Sequence, residues 1–434
     1  MLNRTGYGRR AYITDAARNK TDWVLTDASL DLDFANDRYY DGELAVLTDI
    51  LSVSRSGTAT YRDSSGIIQS ATANTARIDH GFGLLIEETR TNLLLHSGDF
   101  SNASWSKSNA TVSNAASDSN PDGTTGAKIL ISTTDNNFHA ANQAASISAG
   151  ATITASCFYK KTASDSIIQH EVSNGGVNGA RVNVNLNTGA LGTPAAIGAG
   201  SSINATIEAF PDGWYRVSLS CVLDGSSTTA RLGCFLANND INYGTYESYT
   251  GSGEGGVYVW GAQLEAGAFA TSYIPTSGSS VTRNEDNAQI GTLGSWYNAT
   301  EGGVYAEVDT TNWASGNNRI YMIQGSTSNR MEMKNNGGSG IKYETRVGNS
   351  RVVEEYPGTP SGIAKTAMRY KDDDYAIVLD GGTVETDTNA AVPGVSVINL
   401  GTYNNASDHL NGHMKRLALF DTTPDNATLQ TLTS

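Results

Sequence analysis

Chemistry needs groups that can converge, and this chain offers few such groupings. Adjacent carboxylates occur at Glu87-Glu88 and at Glu354-Glu355. On an extended strand, neighbours point to opposite faces, so neither pair can flank one glycosidic bond as acid and base. Asp372-Asp373-Asp374 gathers hard oxygens of the kind calcium takes, but it lacks the alternating spacing of a calcium loop and stands just before a strand-like run. A solvated turn is expected there. His409 and His413 are four apart, a spacing that shares a face only on a helix, and they flank an Asn-Gly turn in a β-rich stretch, so no zinc site is expected. Three cysteines, Cys157, Cys221 and Cys234, are too few and too irregular for a disulfide framework; Cys157 and Cys221 sit in apolar runs and are expected to be buried free thiols. No nucleophile elbow, zinc-helix motif, phosphate loop or dinucleotide fingerprint is present. The expectation is a protein with no catalytic residue, no metal and no cofactor.

Recognition needs less than catalysis. Sugar sites combine exposed aromatic rings with amide and carboxylate groups. Residues 237–256 supply Asn238, Asp240, Tyr243, Tyr246 and Tyr249 within a Gly/Ser-rich loop, and Trp313 stands beside Asn312, Asn317 and Asn318. These are the candidate glycan-binding residues; the plainer alternative is local packing or a subunit interface. A second kind of contact is electrostatic. Residues 1–20 carry Arg4, Arg9, Arg10, Arg18 and Lys20 against Asp15 alone, either a solvated tail or a basic arm that docks on an acidic partner. The whole chain has the opposite sign: 29 basic against 44 acidic residues give a net charge of −15, which repels nucleic acid. No apolar run reaches the ~18 residues of a membrane span. Residues 1–10 have no apolar core of a secretory signal, so a soluble product of the cytoplasm, without membrane insertion, is expected.

The elements that must position such groups are strands. At 434 residues the chain is long enough for two or three domains, and 46 Gly and 20 Tyr against 8 Pro favour short strands joined by turns. Leu30-Asp31-Leu32-Asp33-Phe34 alternates as a strand with one buried face, and the Asp63-Ser64-Ser65-Gly66 turn predicts a hairpin around it. Strands are predicted at 152–160, 167–172, 181–186, 215–222, 231–236 and 257–264, and again at 303–308, 319–324, 330–334, 341–347, 375–379, 397–400 and 411–420. Trp105, Trp214 and Trp260 are predicted core residues. Residues 276–280, Thr-Ser-Gly-Ser-Ser, read as a flexible linker. A terminal helix is predicted with Thr423 as its cap and Pro424 in its first turn.

Three stretches resemble bacteriophage virion proteins. Ser54-Arg55-Ser56-Gly57-Thr58-Ala59-Thr60-Tyr61 with Gly83-Leu84-Leu85-Ile86-Glu87-Glu88-Thr89-Arg90-Thr91-Asn92-Leu93-Leu94 is similar to the start of head-spike and tail-fibre proteins. Val257-Tyr258-Val259-Trp260-Gly261-Ala262-Gln263-Leu264-Glu265-Ala266-Gly267 with Tyr273-Ile274-Pro275-Thr276, and Asp99-Phe100 with Trp105, resemble carbohydrate-binding-module-like jelly rolls. The 375–382 and 410–418 stretches resemble laminin-G-like, concanavalin-A-like sandwiches. The resemblance implies an all-β chain: an irregular attachment region at 1–92, a jelly roll at 93–283 and a laminin-G-like sandwich at 284–434. It also implies a non-enzymatic fibre or spike subunit of the virion, contributing to adsorption on host polysaccharide. Its partners would be other virion proteins and further copies of itself, with a trimer as the first guess. A head decoration protein and a glycan depolymerase are the alternatives.

Overall fold

The computed structural model describes residues 24–163, 166–238, 246–313, 316–337, 339–403 and 407–434. The chain is all-β, 52% strand and 5% helix, and forms two sandwiches. The first is the jelly roll. One of its sheets has six strands in the order Ala110–Ser119, Thr125–Ser132, Val257–Ala266, Thr152–Lys161, Trp214–Val222, Ser201–Phe210. The facing sheet is centred on Gly179–Asn185, Ile167–Ser173, Thr229–Ala237 and His139–Ser146. Strand alternation explains the core: Val217, Leu219 and Cys221 point between the sheets with Ile153, Ala155, Cys157 and Tyr159, all fully buried. The three cysteines are free and buried.

The second sandwich does not begin at 284. Leu30–Asp33 pairs with Gly412–Phe420, and Gly83–Ile86 pairs with the start of that same strand. In the opposite sheet, Ser52–Ser54 pairs with Asn287–Ile290. Residues 30–86, expected to belong to a separate attachment region, therefore supply strands to both sheets of the C-terminal sandwich. Leu30, Leu32, Phe34, Leu84 and Ile86 share one core with Tyr321, Met333, Ile377 and Leu417. The jelly roll is inserted into this sandwich rather than strung before it. Burial at Leu30–Asp33 is correspondingly complete, not one-faced: Asp31 accepts from Arg416 at 2.8 Å, and Asp33 pairs with Arg38.

Where the chain leaves and re-enters, it is tied rather than loose. Arg90–Asn92 and Val281–Arg283 form a two-stranded antiparallel ribbon, so the 276–280 segment leads straight into paired structure. Thr276 is buried, and its carbonyl accepts from Ser97 N at 3.1 Å. The buried side chain of Asn92 donates to the carbonyls of Ala262 (3.0 Å) and Ile274 (2.9 Å), and accepts from Leu94 N and Leu264 N. Beside it lies a buried charge cluster. Asp286 binds Arg55 at 2.7 Å and Arg77, while Glu87 takes Arg77 at 2.8 Å and Arg283 at 3.5 Å. Buried ions of this kind persist only when paired on every side. The two motif stretches around residues 83–94 and 257–276 are thus halves of one junction.

The hairpin Ala59–Arg62 and Ile68–Ala71 forms as predicted, with Asp63 Oδ1 receiving Ser65 N at 2.8 Å. It lies on the outer face of the six-stranded sheet, where Ile68 packs with Phe158, Trp214, Trp260 and Tyr273. Trp105, Trp214 and Trp260 are buried, as expected. The terminal helix spans Asn426–Thr433, and its cap is Asp425, whose carboxylate accepts from Thr428 N at 2.7 Å. Thr423 instead bonds Glu301, because Asp at the cap position competes better for the free amides.

Candidate functional site

The hairpin covers only part of the outer face of the six-stranded sheet. The uncovered part floors a cleft of about 290 Å³ between the two sandwiches. Its size is near the lower end of small-molecule sites, about 300–1,000 Å³. The floor follows from strand alternation. Arg216, Ser218 and Ser220 share one face of Trp214–Val222, while Val217, Leu219 and Cys221 fill the core behind. Across the ladder, Ser218 faces Thr206, and Ser220 faces Asn204 on one side and Thr154 on the other. The C-terminal sandwich forms the opposite wall with Phe82, Asp309, Asn312, Asn411 and His413, and Phe269 comes from the return segment after the sheet.

Phe82 is the aromatic feature of the wall. It is 45% exposed, its ring centroid lies 5.6 Å from that of His413, and the Arg62 guanidinium sits 4.1 Å above it. Arg62 also reaches Phe210 at 5.3 Å and pairs with Glu208. One side of the cleft is therefore a cation–aromatic stack and the other a bed of hydroxyls and amides.

Three carboxylates here, Asp79, Glu87 and Glu208, are paired with basic groups, whereas Asp309 accepts from Thr311 N at 2.9 Å and from its hydroxyl at 2.6 Å. Asp79 accepts from Arg62 N at 2.7 Å and from His413 Nε2 at 2.9 Å. Burial pushes the Asp79 carboxyl up, but the His413 bond and Arg62 overcome it and hold it below the usual range. Burial likewise acts upward on Glu87, yet Arg283, Arg77 and two hydrogen bonds from Ser272 leave it well below a normal carboxylate. A glycosidase acid needs the reverse, a carboxyl kept protonated at neutral pH. These groups can bind and orient, but they are not poised to donate a proton.

The predicted sugar residues fall elsewhere. Asp240 and Tyr243 lie outside the described residues, as do Arg4, Arg9, Arg10, Arg18 and Lys20. Tyr246 stacks on Phe235 at 4.6 Å with Arg181 over its ring, and its hydroxyl accepts from Arg231 at 3.1 Å. Tyr249 packs edge-on against His139 at 4.7 Å, and Asn238 N binds the Glu247 carboxylate. Trp313 turns inward, donating to the Leu410 carbonyl at 3.0 Å, whereas its neighbour Asn312 lines the cleft. Of the described residues whose chemistry was weighed in the sequence, only Glu87, Asn312 and His413 reach the cleft. His413 faces Asp79 rather than His409, and among the described residues no group of three His, Cys, Asp or Glu is placed to hold a metal. Asp372 and Asp374 are turn residues that bind Val392 N and Arg369. The floor residues escaped notice, although the Arg216-Val-Ser-Leu-Ser-Cys alternation, polar on one face and apolar on the other, carries the signal. No described helix is long and apolar enough to cross a membrane.

No family model and no curated protein matches the chain. Solved structures give sandwich likenesses. One is the CBM40 of Ruminococcus gnavus IT-sialidase bound to α2,6-sialyllactose: 14% identity, TM-score 0.28, 32% of this chain and 85% of that one. Another is the mouse laminin α1 chain, domains LG4-5: 11% identity, TM-score 0.21, 81% of this chain and 96% of that one. A third is the LG1-3 region of the laminin α2 chain: 10% identity, TM-score 0.24, 67% and 66%. At such identities and scores the cleft has to be judged by its own residues.

Proposed function

We propose that this chain is a non-catalytic glycan-binding protein, a fibre or spike subunit of a bacteriophage particle, and that the cleft between its sandwiches holds the saccharide. One observation carries the binding half. The side chains of Asn204, Thr206, Ser218 and Asn312 line the cleft and hydrogen-bond to no described residue. Four unengaged amide and hydroxyl groups facing an exposed Phe82 match what a sugar presents: hydroxyls in the ring plane and an apolar face. The virion half is supported by the sequence resemblance alone. In this reading residues 1–20 dock the subunit on the particle, and copies assemble as a homotrimer.

The binding half is tested by saturation-transfer NMR against a panel of bacterial surface oligosaccharides. Phe82→Ala and Asn204→Ala with Ser218→Ala should abolish the signal while thermal unfolding stays unchanged. Signal that survives both, or no signal with the unaltered protein, overturns it. Mass spectrometry of purified particles decides the virion half, and deletion of residues 1–20 should leave a folded subunit absent from them. New reducing ends released from a polysaccharide would mean that the cleft is catalytic after all.

A further inference from the structure

Arg216 stands out among the groups of the cleft. It is 9% exposed, and it lies on the floor strand between Phe158 and Glu208, its neighbours across the ladder. Its Nη2 donates to Ser156 Oγ at 3.0 Å, and its guanidinium lies 5.4 Å from the Phe158 ring centroid. Its Nε has no hydrogen-bond partner, and it forms no ion pair with any described residue. Glu265, Glu208 and Glu87 act on its charge from nearby, and none of them is in ion-pair contact with it. Glu208 turns to Arg62. Glu87 holds Arg77 and Arg283. Glu265 is fully buried and bound by Gln263 and by Thr271 Oγ1 at 2.9 Å.

Most other buried arginines in this protein are matched to acids, Arg77 and Arg55 to Asp286, Arg319 and Arg330 to Glu332, whereas Arg181, also buried, has no ion pair with a described residue and leaves Nε and Nη1 without a hydrogen-bond partner. A buried cation without a counter-ion is unfavourable, and burial pushes the Arg216 pKa down. Its fork also sits at one end of the hydroxyl bed. Ser218 and Ser220 follow on the same face at steps of about 7 Å, the span of a sugar ring and its substituents.

We propose that Arg216 is the carboxylate-recognition point of the cleft, so that the saccharide taken there is acidic, carrying a uronic or ulosonic carboxylate. The proposal rests on the reading of the cleft as a saccharide site and goes further by naming the ligand's charge. A guanidinium donates two parallel N–H bonds to a carboxylate, and the ligand supplies the direct ion-pair partner that no described residue provides. The protein's overall charge of −15 opposes an acidic ligand at long range, so selectivity has to come from this one local contact.

The test compares a panel of uronate- and ulosonate-containing oligosaccharides with their carboxyl-reduced counterparts by calorimetry. The acidic forms should bind about 10- to 100-fold more tightly, the range expected for a charged hydrogen bond. Arg216→Met should erase the ratio of affinities between the acidic and the reduced forms; Arg216→Lys should recover part of it. If Arg216→Met does not fold, the comparison of ligands on the unaltered protein still decides. Equal affinity for acidic and reduced forms, with binding lost in Phe82→Ala, overturns the role of Arg216 and leaves the cleft reading standing. No binding by either form sinks both.

Discussion

The jelly-roll core contains a histidine whose protonation should set the acid limit of this module. His170 is fully buried between the sheets. Its Nε2 is 3.0 Å from the Ala155 carbonyl, which can only accept, so Nε2 carries the proton. Nδ1 is then the acceptor for Tyr159 Oη at 2.7 Å, and Cys234 Sγ completes the chain at 3.1 Å from that hydroxyl. Every polar atom is satisfied only while the ring is neutral. Burial, opposed weakly by the Ala155 bond, lowers the His170 pKa from 6.5 to about 4. The unfolded chain therefore takes up this proton first. The stability it safeguards is complete above pH 6.5 and is lost as pH falls towards 4. At roughly 1.4 kcal/mol per pH unit the full loss is about 3 kcal/mol, of which about 2 kcal/mol is gone by pH 5. Urea unfolding at pH 7, 6 and 5 measures it, read by hydrogen exchange in peptides covering Thr152–Lys161 and Ile167–Ser173, so that the other sandwich does not contribute. His170→Gln keeps a donor and an acceptor but cannot titrate. It should be less stable at pH 7, with most of the decline between pH 7 and 5 removed. A decline that persists unchanged in His170→Gln would refute the assignment.

Asn92→Ala strips four hydrogen bonds from the junction and orphans buried backbone groups on two segments, so urea unfolding should show a loss of about 3 kcal/mol or more, with early proteolysis between residues 268 and 283. Gly261 sits at φ +63°, and a Cβ there would lie 2.7 Å from the Phe158 ring. Gly261→Ala should therefore lower Tm, the left-handed backbone alone costing about 1–2 kcal/mol. Leu32→Ala should cost about 2–5 kcal/mol, and hydrogen exchange should rise in Gly412–Phe420; if only residues near 32 respond, the shared core is wrong. Glu344 is pushed up by burial, but Lys342, Arg346 and neighbouring cations hold it at about 2, so its stabilisation is present above the ordinary carboxylate pKa and lost as pH falls from about 4.5 to 2. Glu344→Gln should cost about 1–2 kcal/mol at pH 7, the partly exposed Arg346 and Arg351 being screened by solvent, and flatten that acid limb in thermal melts.

Strands were readable because their signal is local. Two-residue alternation and turn chemistry sufficed for 341–347, 375–379 and 397–400, which the structure reproduces as Ile341–Val347, Tyr375–Leu379 and Val397–Leu400. Ser350–Gly358, whose pattern is blurred by polar residues on both faces, left no such trace, whereas Ser201–Phe210 does alternate, Ile203, Ala205 and Ile207 against Asn204, Thr206 and Glu208, and was passed over. Partnership between strands was less legible still. Asp31 and Asp33 look like the solvent face of an edge strand until Arg416, 385 residues away, is placed opposite Asp31. Nothing near residue 30 announces that distance, so the segment reads as an appendage when it is part of a core. The same reason hid the cleft. Phe82, Arg216 and Asn312 come from three separate stretches, and only the insertion brings them together. Clusters of tyrosine and asparagine drew attention because they were close in sequence; in the structure Tyr246 stacks on Phe235 and Trp313 donates to the Leu410 carbonyl, both away from the cleft.

Insertion also has a mechanical consequence that a tandem arrangement lacks. Two modules joined by one linker are free to swing, and a cleft between them has no fixed width. Here the jelly roll is held at both its ends by the Arg90–Asn92 and Val281–Arg283 ribbon, with the Asp286 and Glu87 ion cluster beneath it and the 59–71 hairpin of the first segment laid across its outer sheet. Swinging would have to break the hydrogen bonds that cross the joint, from Ser272 to Glu87, from Arg77 to Ser272 and from Thr60 to the Tyr273 carbonyl, together with the Arg62–Glu208 pair. The distance from the floor at Ser218 to the wall at Phe82 is therefore set before any ligand arrives, and little ordering is left to oppose binding. Under the proposed function, the Glu87 and Arg77 side chains, held by their ion pairs and bonded to Ser272, help fix the geometry of a cleft that neither sandwich contains alone.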